Sequence, residues 1–97
     1  MRNMELYEKL VNMNGISGNE RFVRKFVREE LEKVSDCLVQ DKLGSVFGVS
    51  HGEGPVIMIA GHMDEVGAMI VKITKKGFLK IHPIGGIVPE VMLSQNM

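Results

Sequence analysis

The sequence predicts an α/β fold in which two helices are followed by a mixed β-sheet. Three patterns predict it: an apolar stripe of helical period between residues 22 and 34, an uninterrupted apolar run at Val56–Ala60, and a hairpin signal at Lys75–Gly77. The stripe is typical of a helix with one buried face, and the run is typical of a central strand that is covered on both sides. Helices packed beside a sheet are therefore the expected architecture.

The two predicted helices occupy the first third of the chain. The first spans Asn3–Met13 and ends at Asn14–Gly15, because asparagine and glycine tolerate the left-handed conformation at a helix end. Ser17 and Glu20 have the spacing of a capping box at the start of the second helix, in which each side chain would accept a backbone N–H of the other residue. The apolar residues of the second helix then recur every three or four positions: Phe22, Val23, Phe26, Val27, Leu31 and Val34.

Short segments with strand propensity follow the helices. The predicted strands are Cys37–Gln40, Ser45–Val49, Val56–Ala60, Ala68–Thr74 and Phe78–His82. Residues that favour turns separate them, and the first of these turns is Asp41–Gly44. Cys37 is predicted to be a buried structural thiol, since no histidine stands near it in the sequence to activate it as a nucleophile.

Composition limits the function classes. The 97 residues suffice for one domain, and 12 basic and 12 acidic side chains give a net charge of zero. A neutral chain with 5% aromatic residues lacks the basic surface that nucleic acid requires. The longest apolar run, Val56–Ala60, is too short to cross a bilayer, and Met1–Glu8 does not resemble a signal peptide. A single cysteine fits a reducing compartment, so we expect a cytoplasmic protein. From the charge and the short apolar run we expect no nucleic-acid or membrane partners.

A histidine and two carboxylates, His62, Asp64 and Glu65, follow the predicted central strand. Ligands commonly bind past the carboxyl ends of strands in α/β sheets, and positions i and i+2 of extended backbone face the same side. His62 and Asp64 would therefore point together. Both could bind one metal ion, or His62 could bind it while Asp64 accepts a hydrogen bond from the other ring nitrogen. The short spacing favours the second arrangement, and a hydrogen-bonded turn histidine without a metal is the structural alternative.

Several segments resemble those of a known enzyme family. Ala60–Gly67, with the sequence AGHMDEVG, is similar to the signature of the glutamyl-aminopeptidase and tetrahedral-aminopeptidase family of dinuclear metallopeptidases. Asn14–Glu20 resembles the first loop of that family, and Asp41–Gly44 resembles its Asp-x-x-Gly-Asn turn, with Ser45 where asparagine is usual. The family's later hairpin and glycine pair are similar to Ile73–Phe78 and Gly85–Gly86. The resemblance covers nearly the whole chain in register.

The resemblance implies a fold, an activity and two site residues. The fold would be a zinc-exopeptidase-like α/β domain that carries an inserted β-rich dimerisation domain. The activity would be metal-dependent aminopeptidase hydrolysis of N-terminal residues from peptide substrates, with two divalent metal ions, zinc or cobalt, as cofactors. His62 matches the first metal ligand. Asp64 matches the carboxylate of the catalytic machinery that orients this histidine, whereas Glu65 does not match the general base.

The resemblance also implies that other parts of the enzyme lie beyond these residues. In the family, the remaining metal ligands and the glutamate general base come later, and the dimerisation domain begins near the position of Pro89–Met97 here. We therefore expect residues 1–97 to be an N-terminal portion of the catalytic domain, inactive alone and binding metal weakly or not at all. His51 and His82 are expected on the surface. Self-association is expected, because uncovered strand edges and apolar faces pair with other chains.

Two other functions stay open on the sequence. The chain could be a non-catalytic module that associates with itself or complements another chain. It could also belong to a related two-metal deacylase or amidohydrolase that shares the His-x-Asp element. Further Asp, Glu-Glu and His ligands downstream in the reading frame would favour the peptidase over the module, and hydrolysis of peptides rather than acyl amides would favour it over the deacylase.

Overall fold

The computed structural model describes residues 2–93 and shows helices before strands, which confirms the predicted α/β class. The helices are α1 (Arg2–Val11), α2 (Arg21–Glu32) and α3 (Pro89–Met92), and the strands are β1 (Cys37–Gln40), β2 (Val46–Val49), β3 (Gly67–Ile73) and β4 (Leu79–Ile84). None of the helices within this range is long and apolar enough to cross a membrane. The predicted domain of residues 1–97 extends into residues 1 and 94–97, which lie outside the described residues.

The four strands form two separate antiparallel hairpins, β1–β2 and β3–β4. The first hairpin pairs Cys37 with Val49 and Gln40 with Val46, and the second pairs Gly67 with Ile84 and Ile73 with Leu79. The second hairpin was predicted from its turn at Lys75–Gly77, and for the first hairpin the sequence predicted the two strands and the turn between them. Local sequence was sufficient for them, because each strand pairs with the next strand along the chain.

The apolar run Val56–Ala60 is not a strand, so this prediction is wrong. Its side chains face solvent instead of being covered on both sides: Val56 is 98% exposed and Ile59 is 95% exposed. A strand requires a neighbour that pairs with its backbone N–H and C=O groups, and no strand between residues 2 and 93 lies beside this run. The mixed sheet expected around it is therefore not formed by the described residues.

Helix α2 packs on the first hairpin, as its apolar stripe predicts. Val23 on its inner face is 4% exposed and is the buried hydrophobic residue of the described part of the chain. Gly48 in β2 lies against the side chains of Leu31 and Ser35, where a larger residue would collide. Because Gly48 has no Cβ, the helix can approach the hairpin closely.

The predicted capping box is wrong. Helix α2 begins at Arg21 with Glu20 at the N-cap, and no side chain caps it. The Glu20 carboxylate accepts the backbone N–H of Gly18 at 2.7 Å instead. The Ser17 hydroxyl donates to the carboxylate of Asp64, 47 positions further along the chain. The hydroxyl thus donates a charge-assisted bond to a distant carboxylate, and the serine is not positioned to accept the helix N–H that the sequence pattern indicates.

Two smaller features also differ from the sequence predictions. Cys37 is exposed, so the prediction of a buried thiol is wrong. The reason is that β1 belongs to a sheet of two strands, which leaves the side chain at its first residue uncovered. The short helix α3 was not predicted, although Pro89 occupies the first helical turn, where a missing N–H costs little.

The turn between β1 and β2 is organised by the side chain of Asp41. Its Oδ1 accepts the backbone N–H groups of Leu43 at 3.0 Å and Ser45 at 2.8 Å, and Gly44 adopts a φ of 97° that favours glycine. The backbone N–H of Ser45 is the largest of the causes that hold the pKa of the Asp41 carboxyl below its ordinary value of 3.8. The ionised carboxylate therefore stabilises the turn.

This lowered pKa predicts an acid-dependent stability. An unfolded aspartate titrates near about 3.9, so the contribution of Asp41 to the free energy of unfolding is present above about pH 4 and is lost as the pH falls through the lower folded pKa. We expect Asp41→Asn, which has no titrating group here, to lose less stability between about pH 4 and pH 2. Urea unfolding followed by circular dichroism across this range measures the difference, and parallel pH curves for the two proteins would contradict it.

Candidate metal centre

The segment after the exposed apolar run brings His62 and Asp64 into contact. Nδ1 of His62 lies 3.0 Å from the backbone carbonyl oxygen of Asp64 and 3.0 Å from its carboxylate Oδ1. A carbonyl oxygen can only accept a hydrogen bond, so Nδ1 carries the proton that is donated. In the neutral imidazole the lone pair is then on Nε2. The side chain of His62 is 86% exposed, which leaves Nε2 accessible to a ligand.

Asp64 uses both carboxylate oxygens. Oδ1 accepts from His62, and Oδ2 accepts from the Ser17 hydroxyl at 2.5 Å. The Ser17 hydroxyl is the first cause, ahead of a backbone hydrogen bond and His62, that holds the pKa of the Asp64 carboxyl below its ordinary value of 3.8. The carboxylate is thus ionised at neutral pH and directed toward the ring. This geometry is that of a histidine oriented by a carboxylate, the second arrangement considered from the sequence.

The loop between α1 and α2 lies alongside this segment and is tied to it by backbone contacts. The N–H of Glu65 donates to the carbonyl of Gly15 at 2.8 Å, and the N–H of Gly15 donates to Oε1 of Glu65 at 3.1 Å. Ile16 and Glu65 also form an isolated parallel bridge, and the side chain of Ile16 lies against Gly67. The carboxylate of Glu65 therefore holds the loop between α1 and α2. The family resemblance does not assign this carboxylate as the general base.

Gly15 occupies a site that has no room for a side chain. It is buried, and a Cβ added there would lie 2.6 Å from Cγ2 of Val23. We expect Gly15→Ala to lower the free energy of unfolding by about 1–3 kcal/mol, because overpacking displaces the buried residue of α2. Urea unfolding measures this change. Gly52→Ala is the matched control, since a Cβ there meets nothing within 4 Å; equal stability of the two variants would contradict the expectation.

The other histidines lie elsewhere. His51 is exposed in the segment after β2, where its backbone N–H donates to the Asp36 carboxylate at 2.7 Å. His82 is exposed in β4, opposite Met69. Between residues 2 and 93, no group of three or more His, Cys, Asp or Glu side chains is arranged to hold a metal ion. His62 is therefore the candidate ligand here, and it is brought together with Asp64 but not with a second ligand.

An open groove of about 480 Å³ lies beside the two residues. It is bounded by Glu20 at the N-cap of α2, by Arg24 of α2, by the β1–β2 turn, and by the segment from residue 58 to residue 64. His62 and Asp64 line one side of it, so a ligand can reach both from solvent.

The residues present suit one ligand position of a zinc or cobalt site. A neutral imidazole is a ligand that both metals accept, and the hydrogen bond from Nδ1 to a carboxylate raises its basicity and fixes its orientation. A catalytic zinc site usually has about three protein ligands. The residues present fit such a metal as a single ligand with its orienting partner.

The contact of Ser17 with Asp64 was missed by reasoning from the sequence. The two residues are 47 positions apart, and the spacing of Ser17 and Glu20 indicated a helix cap instead. Ser17 does lie in the loop segment whose resemblance to the peptidase family was noted. That resemblance marked the loop but gave no partner for its hydroxyl.

The chain is similar in sequence to members of a known enzyme family. The sequence model of the M42 glutamyl aminopeptidase family matches residues 44–97. The lysyl aminopeptidase of Pyrococcus furiosus is 39% identical over 98 residues, which cover 100% of this chain and 28% of the relative. The glutamyl aminopeptidase of Lactococcus lactis subsp. cremoris is 34% identical over 99 residues, with 96% and 28% covered.

A solved structure shows the same likeness. The crystal structure of the TET aminopeptidase from the marine sediment archaeon Thaumarchaeota archaeon SCGC AB-539-E09 has a TM-score of 0.88 and 41% sequence identity. The match covers 98% of this chain and 27% of that chain. The chain therefore spans just over a quarter of the length of the relatives that it matches.

Proposed function

Because this chain belongs to the M42 glutamyl aminopeptidase family, we propose that it takes part in the metal-dependent hydrolysis of N-terminal residues from peptides. The observation that carries the proposal is the contact of His62 Nδ1 with two oxygen atoms of Asp64, each at 3.0 Å. That arrangement leaves Nε2 with a lone pair, as metal ligation requires. The named aminopeptidases among the relatives support the reaction class.

In this proposal each residue of the site has a separate role. His62 would hold one of two divalent metal ions through Nε2. Asp64 would keep the ring oriented and in the correct tautomer through its contact with Nδ1. When bound, such ions polarise a peptide carbonyl and supply a nucleophilic hydroxide near neutral pH. The groove beside His62 would admit the peptide.

We further propose that residues 1–97 form part of the catalytic domain and are inactive by themselves. The share of the relatives that the chain spans, just over a quarter, supports this proposal. So does the ligand set between residues 2 and 93, where no group of three or more His, Cys, Asp or Glu side chains could hold a metal ion. The isolated chain would bind zinc weakly, through a single imidazole, and the remaining ligands and the general base would come from other parts of the enzyme.

The function is tested with the product of the natural gene. It should release the N-terminal residue from a peptide with a free α-amino group, and it should lose this activity with a chelator and regain it with Co²⁺ or Zn²⁺. An N-acetylated peptide and an acyl-amide substrate serve as controls. Hydrolysis of the acyl amide alone would instead favour a deacylase, and peptide hydrolysis that is insensitive to chelator would contradict metal dependence.

A second proposal concerns association between copies of the 97-residue chain. The apolar run Val56–Ala60 is exposed, and Val23 is the buried hydrophobic residue among those described. The radius of gyration is 17.7 Å, whereas a compact domain of this length would have about 12–13 Å. Such a chain encloses little apolar surface by itself. We propose that a second copy covers the exposed run, since the strand edges of the hairpins and the apolar run are present in every copy.

The cellular location is proposed from cysteine chemistry. The chain has one cysteine, Cys37, and its thiol is exposed. An exposed free thiol persists in a reducing compartment and is prone to oxidation outside one. These observations support a cytoplasmic location.

A further inference from the structure

We propose that Ser17 is a positioning residue of the metal centre: its hydroxyl fixes the Asp64 carboxylate so that Oδ1 stays directed at Nδ1 of His62. The inference rests on the proposed function, in which His62 binds a metal ion. It assigns a role to a loop that is distant in sequence from the His-x-Asp element.

The carboxylate of an aspartate can rotate about the terminal torsion of the side chain. The terminal torsion of aspartate is broad, so one hydrogen bond to an exposed imidazole leaves the carboxylate free to turn. A second bond removes that freedom. Ser17 donates to Oδ2 at 2.5 Å while Oδ1 lies 3.0 Å from Nδ1 of His62, so the two oxygens have different and simultaneous partners.

The position of the Ser17 hydroxyl is fixed by the residues that precede it in the loop. Ser17 follows Gly15 and Ile16, and both of these are held against the segment that carries the site. Gly15 exchanges two hydrogen bonds with Glu65, and Ile16 lies against Gly67. The backbone before Ser17 is therefore anchored to the same segment as Asp64, which allows a serine in a loop to orient another side chain.

Ser17 does not cap helix α2, which is the ordinary role of a serine at this position. The spacing to Glu20 is that of a helix cap, yet α2 has no side-chain cap, and the hydroxyl is directed to Asp64. Loss of the hydroxyl should therefore act on the metal site more than on the helix.

The experiment uses the natural gene product, with Co²⁺ as the probe. Cobalt affinity is measured by competition with a chelator, and the visible absorption of bound Co²⁺ reports the geometry of its ligands. Residues that contact a metal ligand directly contribute roughly 10- to 100-fold to metal affinity, so Ser17→Ala, which acts one residue further away, should lower it by about 3- to 10-fold and alter the spectrum. Ser17→Thr keeps the hydroxyl and should restore both. Ser50→Ala is the matched control, since its hydroxyl donates at 3.5 Å to the Val34 carbonyl.

The outcomes separate this inference from the proposed function. If the unsubstituted protein binds no Co²⁺, or if His62→Ala binds it unchanged, the proposed function and the role of Ser17 both fail. If His62→Ala weakens binding but Ser17→Ala leaves affinity and spectrum unchanged, the role of Ser17 alone is overturned. It is also overturned if Ser17→Ala lowers the melting temperature of the metal-free protein and Ser17→Thr restores neither stability nor affinity, because Ser17 would then support the fold only.

Discussion

The variant His62→Ala is expected to abolish peptide hydrolysis by the natural gene product at limiting metal concentration. Removing a residue that only orients a metal ligand costs roughly 10- to 100-fold in affinity or activity, so removing the ligand itself should cost more than about 100-fold. The loss should appear in metal content as well as in turnover, because Nε2 of His62 is the proposed point of attachment. Parallel assays of bound Zn²⁺ and of N-terminal residue release measure both quantities.

His51→Ala and His82→Ala are the matched controls for this prediction. Both histidines are exposed and neither contacts Asp64 in the described structure. They should retain metal and activity within about two-fold of the unsubstituted protein, as surface substitutions usually do. Full activity and full metal content in His62→Ala would show that this imidazole is not a ligand.

The second large effect concerns self-association of the 97-residue chain. We expect the double variant Ile57→Lys and Ile59→Lys to prevent the self-association that is proposed for the unsubstituted chain. Full burial of one isoleucine contributes about 1.5–3 kcal/mol, so replacing two should weaken association by at least about 100-fold. Both side chains are exposed, and the charges therefore cost little in the monomer. Sedimentation velocity over a concentration series measures the change.

A matched control for the double variant uses exposed apolar residues outside the run. Val34 and Phe78 are also exposed, at 67% and 70%, so Val34→Lys with Phe78→Lys adds the same two charges elsewhere. This control should associate like the unsubstituted chain. A monodisperse monomer of the unsubstituted chain at high concentration, or equal association of both double variants, would contradict the proposal.

The parts of the fold that the sequence predicted correctly are those fixed by near neighbours. The stripe that includes Val23 and Leu31 defines an amphipathic helix without reference to the rest of the chain. The Asp41 turn and the Lys75–Gly77 turn each join two strands that pair with each other. In these cases the hydrogen bonds that stabilise an element lie within it or join it to the next strand along the chain, so a local pattern is enough.

The parts that were wrong depend on distant residues. Val56–Ala60 has the composition of a central strand, but a strand forms only beside a partner, and composition does not supply one. Ser17 had a plausible local partner, the backbone N–H of Glu20, and only the folded chain brings the Asp64 carboxylate within reach of its hydroxyl. Exposure of Cys37 likewise depends on how wide the sheet becomes.

In the candidate site, too, the local contacts were predictable from the sequence and the distant contacts were not. His62 and Asp64 are two positions apart, so their contact was predictable from strand geometry. Their link to Gly15 and Ser17 was not predictable, because it crosses from the α1–α2 loop to the segment before β3. The sequence therefore indicated the proposed metal ligand and the carboxylate that orients it, and the structure added the groups that hold these two residues in place.

The most direct test of the metal site is the anomalous scattering of a metal-loaded crystal of the natural gene product. Data collected on both sides of the zinc or cobalt absorption edge locate the metal independently of any activity. We expect a peak at roughly 2.0–2.1 Å from Nε2 of His62, with Nδ1 still facing Asp64. A peak bound to Nδ1, or metal sites at which His62 takes no part, would contradict this expectation.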